Sequence, residues 1–266
     1  MTPTTIRRAR ELPETDRATA RANAEVEYRA LAEFVAALTP DEWGRPTDCT
    51  GWTVRHMVAH LAGAAQGCAR PSVALRHNVK ATVGALRGPL TPVDYLCASQ
   101  IADRAALSDG EVGRDLQQWA ALAPGGIAAT PGFVLRQRLP RFAGLRPGAT
   151  LRYLFDTIYT RDVWLHRVDL ARATGRPRAV SAADTEVVAQ VIRDLDLEWD
   201  GPAVDLTLTG PGGGSWTIGE GAPVVHVRED GVAFMRLLSG RSDECRLDAE
   251  GDPVAVAALR RARVVF

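Results

Sequence analysis

A chain of 266 residues with 46% hydrophobic content can bury a substantial core, and its length suits one large domain or two smaller ones; we expect two. Lys+Arg and Asp+Glu both number 32, so no global field gathers nucleic acid or an anionic membrane, and neither is an expected partner. No apolar run approaches the roughly 20 residues that cross a bilayer, and the N-terminus lacks the apolar block of a secretory signal, which makes the cytoplasm the expected compartment.

In chain order, Asp16–Leu38 reads as a helix free of Gly and Pro, ended by Thr39-Pro40. A loop over 40–50 leads to a helix from Thr53 to Cys68, with Thr50 or Thr53 as its cap. Helices follow at Ser72–Leu86, Pro92–Leu107 and Asp109–Leu122, then a Gly/Pro-rich stretch. The strongest helix runs from Thr150 to Thr174 and ends at Gly175, with Pro177 as a stop signal. After it comes a short helix at Ala182–Leu195, then β-rich runs at Val204–Thr209, Ser215–Ile218 and Val224–Val227, the first two joined by a glycine-rich hairpin turn. A helix at Val232–Ser239, a strand at Cys245–Asp248 and a helix at Pro253–Arg261 complete an α+β module. The expected division is 1–178 and 179–266, with the boundary near 176–182.

The chemistry concentrates on the Thr150–Thr174 helix. Its apolar stripe, Leu151, Leu154/Phe155 and Ile158, continues at the same spacing onto Asp162, Leu165/His166 and Asp169, so the inward face turns polar. A buried carboxylate and imidazole need compensation, and Asp162 and His166, four apart on one face, can converge on one divalent ion. A third ligand would come from the Thr53–Cys68 helix, which offers His56 and His60; His60, beside Met57 and Leu61, is the one expected to face inward. The alternative from pattern alone is an interhelical salt bridge or polar cluster in a bundle core. Cys49, Cys68, Cys97 and Cys245 show no CxxC spacing and are expected to be reduced thiols, and no GxSxG elbow or phosphate loop is present.

The stretch Thr50-Gly51-Trp52-Thr53-Val54-Arg55-His56-Met57-Val58-Ala59-His60-Leu61, preceded by Trp43 and Arg45-Pro46-Thr47, resembles the "W…PT…GWTVRDLVAHL" signature of the DinB-like, mycothiol-dependent maleylpyruvate isomerase family. Thr160–Gly175, TRDVWLHRVDLARATG, resembles that family's second motif. The resemblance implies an α+β chain: an N-terminal DinB-like four-helix bundle holding a divalent metal, usually zinc, followed by a small α/β C-terminal domain. The metal ligands it implies are His60, Asp162 and His166, with Asp162 standing where the founding enzymes have glutamate. His56 replaces an acid often found there and is an expected extra ligand or base, or else a surface histidine. Asp169 is expected to orient His166 or its neighbours, with a structural bond to Arg55 or Arg172 the alternative.

By the same resemblance, the metal holds a low-molecular-weight thiol, mycothiol, as its thiolate, which attacks a small electrophile to give isomerisation or S-transfer. Arg55, Arg161 and Arg167 are candidate contacts for a carboxylated substrate, with salt bridges the alternative for each. The C-terminal domain is expected to close over the bundle and help hold the thiol, with Trp216 and Arg241 as possible contacts. The expected assembly is a monomer or homodimer acting on a small molecule; the competing reading is a metal-free bundle that binds a ligand or partner without catalysis.

Overall fold

The computed structural model describes residues 7–139, 145, 148–241 and 247–266. It divides into two compact units, one of Arg17–Ser181 and one joining the segment that ends at Asp16 to Ala182–Phe266. Within the second unit Arg7–Arg8 pairs with Trp216–Thr217, and Arg10 bonds Asp196.

In the first unit α1 (Arg17–Ala36), α2 (Val54–Ala69), α5 (Asp109–Ala129) and α8 (Tyr159–Thr174) pack as a four-helix bundle. A hairpin of α3 (Pro71–Arg87) and α4 (Pro92–Ala102) lies against α2. The core is built from Tyr28, Leu31, Met57, Leu61, Leu116, Ile127 and Val163. Short helices α6 (Gly132–Leu135) and α7 (Leu151–Tyr153) precede α8.

Helix starts follow local capping chemistry. Thr53, Thr91 and Ser108 each sit before α2, α4 and α5 and close a capping box with the residue three positions on, satisfying backbone N–H groups that a helix start leaves free. Two ends differ from the sequence expectation. Helix α4 stops at Ala102, not Leu107; the carboxylate of Asp103 pairs with Arg76 at 2.5 Å and His77 at 2.8 Å. Helix α5 runs past Leu122 to Ala129 through a buried Pro124, and Gly126 explains what is gained there. A Cβ on Gly126 would lie 2.2 Å from the Cys68 carbonyl oxygen, so only glycine lets α5 approach the end of α2.

The Thr150–Thr174 helix is interrupted. A π-helical turn at Leu154–Ile158 separates α7 from α8, and α8 ends at Gly175 with φ 72°, a left-handed cap. One extra residue in the turn rotates the face by about 100°, so the apolar stripe before it does not run on unbroken into Asp162. Helix α8 is buried on nearly every side and takes Arg161, His166, Arg167 and Asp169 into the interior. Arg167 meets the buried Glu27 of α1 at 2.6 Å and the Ala179 carbonyl at 2.9 Å, and Ser181 donates to the other Glu27 oxygen.

The second unit is a five-stranded mixed sheet in the order β1-β3-β2-β4-β5. Its strands are β1 (Arg7–Arg8), β2 (Pro202–Thr209), β3 (Gly214–Ile218), β4 (Glu220–Asp230) and β5 (Ala249–Gly251). Helices α9 (Asp184–Glu198), α10 (Gly231–Leu238) and α11 (Pro253–Arg261) accompany it, and Val191, Ile192, Leu206, Ile218 and Phe234 fill its core. The hairpin between β2 and β3 turns on glycines: Gly212 has φ 75°, and a Cβ there would sit 2.6 Å from the Asp184 carbonyl oxygen. Of the expected strand at Cys245–Asp248, Cys245 and Arg246 lie outside the described residues; the observed strand is Ala249–Gly251. Among the described residues no helix is long and apolar enough to cross a membrane.

Candidate metal centre

Helix α2 supplies the first side chain. Its capping box is unusual in using His56 where an acid commonly serves: the Thr53 N–H donates to His56 Nδ1 at 3.2 Å. This places His56 in the helix cap, and no group of candidate ligand atoms among the described residues includes it. One turn later His60 is buried.

Helix α8 supplies the rest. His60 Nε2 lies 3.6 Å from Asp162 Oδ2, and His166 Nε2 lies 3.3 Å from Asp162 Oδ1. One atom from each of the three residues falls within 4.8 Å of the other two. A tetrahedral zinc with ligands at about 2.05 Å spaces its donors by roughly 3.3 Å, so these separations fit such an ion. Neither imidazole spends its second nitrogen on the cluster. Nδ1 of His166 contacts Asp169 Oδ2 at 3.0 Å, and Nδ1 of His60 contacts Gln100 Oε1 at 2.8 Å. Both Nε2 atoms are therefore left to converge.

The electrostatics follow from this packing. Burial alone would raise the Asp162 carboxyl, but the imidazoles of His166 and His60 outweigh it and hold the group well below the usual carboxylate range. Burial alone would lower both histidines. Instead Cys97 and Asp162 lift His60 to about 10, and Asp162, Asp169 and Cys49 hold His166 well above its ordinary value. The packing thus favours positive charge at the cluster.

Aromatic and thiol groups surround it. The Trp52 ring lies 5.2 Å from His60 and 6.2 Å from His166, and the two imidazoles meet edge to face at 5.3 Å. The Tyr28 hydroxyl and Cys68 Sγ are 3.9 Å apart, and burial pushes the Cys68 thiol up to about 12, too high for a nucleophile at neutral pH. Cys49 Sγ is 3.9 Å from Asp169 Oδ2 and forms a second ligand-bearing group with His166 and Asp169. Cys49, Cys68 and Cys97 are free thiols; Cys245 lies outside the described residues.

The structure thus brings together His60, Asp162, His166 and Asp169. The arginine candidates are engaged elsewhere or enclosed: Arg55 meets Asp109 at 2.6 Å and the Leu107 carbonyl at 2.5 Å, Arg167 is paired with Glu27, and Arg161 is buried. Trp216 and Arg241 belong to the sheet unit. Trp216 is buried in β3, where a Cβ on Gly214 would come within 2.5 Å of its ring, and the Arg241 backbone exchanges bonds with Arg236. Sequence reasoning did not single out Gln100, and it quoted Trp52 only as part of a motif. The GWT tripeptide ahead of His60 carried the signal for Trp52; Gln100, 40 residues from its partner, carried none.

Comparison with known proteins bears on this cluster. Two uncharacterised proteins of Mycobacterium tuberculosis, from strains CDC 1551 / Oshkosh and ATCC 25618 / H37Rv, are each 28% identical over 147 residues, covering 55% of this chain. The matched region spans 63% of each relative's length. A crystal structure of the mycothiol-dependent maleylpyruvate isomerase superposes with TM-score 0.59 at 17% identity, covering 93% of this chain and 97% of that one. A histidine-to-alanine mutant of that isomerase gives 0.58 at 16%, with the same coverage. These two establish a shared fold. The profile described as mycothiol maleylpyruvate isomerase N-terminal domain matches residues 24–171, a span that includes His60, Asp162 and His166. The chain therefore belongs to the mycothiol maleylpyruvate isomerase N-terminal domain family.

Proposed function

We propose that this protein is a metal-dependent enzyme that uses a low-molecular-weight thiol, mycothiol in its family's chemistry, to isomerise a small unsaturated acid of the maleylpyruvate type. The observation that carries the reading is the convergence of two imidazole Nε2 atoms and one carboxylate, with both Nδ1 atoms held from behind. Three protein ligands leave a position open, the arrangement of a catalytic zinc rather than a structural one. A zinc ion there supplies positive charge that keeps a thiol ionised at neutral pH.

The chain's own residues do the rest. His60, Asp162 and His166 offer the donors; Asp169 fixes the ring of His166; Trp52 walls the two imidazoles from one side. The attacking sulfur in this reading comes from the added thiol; of the chain's own thiols, Cys68 is pushed by burial up to about 12, too high for a nucleophile at neutral pH. A thiol held beside His60, Asp162 and His166 would supply a nucleophile that can add to a conjugated double bond and leave again, which is isomerisation chemistry, or stay bound with a proton taken up at the neighbouring carbon, which gives a thiol adduct.

The test is zinc content and reaction together. Protein purified without chelators is expected to hold close to one zinc per chain and to isomerise maleylpyruvate only when mycothiol is added. His166→Ala is expected to lose the zinc and the activity while keeping its helical circular dichroism. A native protein that cannot be loaded with zinc or cobalt, yet still turns over, removes the proposal; one that binds small molecules without turnover leaves the binding-bundle reading in its place.

A further inference from the structure

His60 and His166 are held differently from behind. His166 has a buried carboxylate, Asp169, at its second nitrogen; His60 has a neutral amide, Gln100, delivered from α4. An amide oxygen accepts a hydrogen bond from the ring N–H but adds no charge, so it selects a tautomer without making the ring more basic in the way a carboxylate does.

The fold invests in this contact. On α2, one turn beyond His60, stands Gly63, and a Cβ there would lie 2.5 Å from Cβ and 2.7 Å from Cγ of Gln100. No other residue lets the Gln100 stem lie flat on α2 at that height. Arg104, one turn after Gln100, clamps the end of α4: its side chain donates to the Gln100 carbonyl at 3.2 Å, to Asp115 of α5 at 2.7 Å and to Gln66 of α2 at 3.1 Å. Gln100 is buried, so its amide cannot swing away to water.

We infer that Gln100, seated on Gly63, is a positioning residue that keeps the proton of His60 on Nδ1 and so presents the Nε2 lone pair to the cluster. The inference rests on the metal-centre reading proposed above, but its test separates the two. Heteronuclear NMR of the ring nitrogens reports the His60 Nδ1 proton in zinc-loaded and zinc-free protein alike, and titration with zinc reports affinity. The Nδ1 proton is expected to be slow to exchange in the native chain and fast in Gln100→Leu. Zinc affinity in Gln100→Leu is expected to fall by roughly 10- to 100-fold, the usual cost of losing such a partner. Gln100→Glu restores an acceptor and is expected to recover most of the affinity. Gly63→Ala, which leaves the amide in the sequence but crowds its stem, is expected to speed Nδ1 proton exchange and weaken zinc as well. If Gln100→Leu fails to fold, Gln100→Glu and Gly63→Ala decide the matter by the same two readouts. A native His60 carrying its proton on Nε2 with zinc bound, or a folded Gln100→Leu with native affinity and an unchanged Nδ1 proton, overturns the inference. A native protein that takes up no zinc, but whose Nδ1 proton still depends on Gln100, overturns the metal reading and leaves the positioning role standing.

Discussion

Two buried carboxylates, Asp196 and Glu27, and the half-buried Asp162 are held in two ways. Asp196 of α9, whose side chain is 1% exposed, accepts from the Arg10 guanidinium at 2.8 Å, the Arg10 N–H at 2.7 Å and the Gly219 N–H at 2.8 Å. Glu27 of α1 is enclosed in the same manner by Arg167 and Ser181. Asp162 of α8 keeps 23% of its side chain exposed and sits 3.3 and 3.6 Å from two imidazoles, beyond good hydrogen-bond length. The closed pairs serve folding, since burying a charge demands full compensation. The looser cluster, with neutralisable partners and a partly exposed carboxylate, has the donor set and spacing that a metal ion would require. What marks a site is the incompleteness of its compensation, more than the burial of charge.

The contrast is sharpest in stability. Arg167→Met strands Glu27 inside the bundle, and its expected cost is about 3–5 kcal/mol by chemical denaturation. A cost below about 1 kcal/mol would erase the distinction between closed pairs and the cluster.

Asp196→Asn ranks next, at about 1–3 kcal/mol, because the amide keeps the shape but weakens three bonds made to a charge. Its pH dependence gives a second reading. Burial alone would raise the Asp196 carboxyl, but Arg10 and the Gly219 and Arg10 N–H groups outweigh it and lower the group below its ordinary 3.8. A depressed carboxyl contributes stability above its unfolded value and loses it as pH falls through the folded one. The gap between native protein and Asp196→Asn is therefore expected to be constant near neutrality and to close on acidification below about 3.8. A gap that persists unchanged into strong acid would mean the charge contributes nothing.

Asp162→Asn is expected to be the mildest for folding and the most damaging for metal. Without the carboxylate the two imidazoles can stand neutral in zinc-free protein, so the expected cost is about 1 kcal/mol or less. Zinc binding is expected to drop at least tenfold, read by competition with a chromogenic chelator. Equal zinc affinity in the variant would remove Asp162 from the ligand set.

Much of the architecture was legible because it is written locally. Threonine and serine caps start α2, α4 and α5, Gly175 stops α8 in a left-handed turn, and the glycines after Thr209 turn the hairpin. The pairing of Asp162 with His166 follows from helical spacing alone, and the two sequence motifs carry the family. Sequence by itself therefore determined which elements form and which side chains share a face. Tertiary structure decided what lies across from each face: Gln100 behind His60, Glu27 against Arg167 and Asp109 against Arg55, while His56 turns into the cap of its own helix. It also decided that α5 passes through Pro124, that a π turn breaks the run into α8, and that β1 joins the sheet. Caps and periodicity depend on neighbours within a turn or two, whereas a buried polar partner is chosen among all residues the packing brings near, and nothing in the local chain names it.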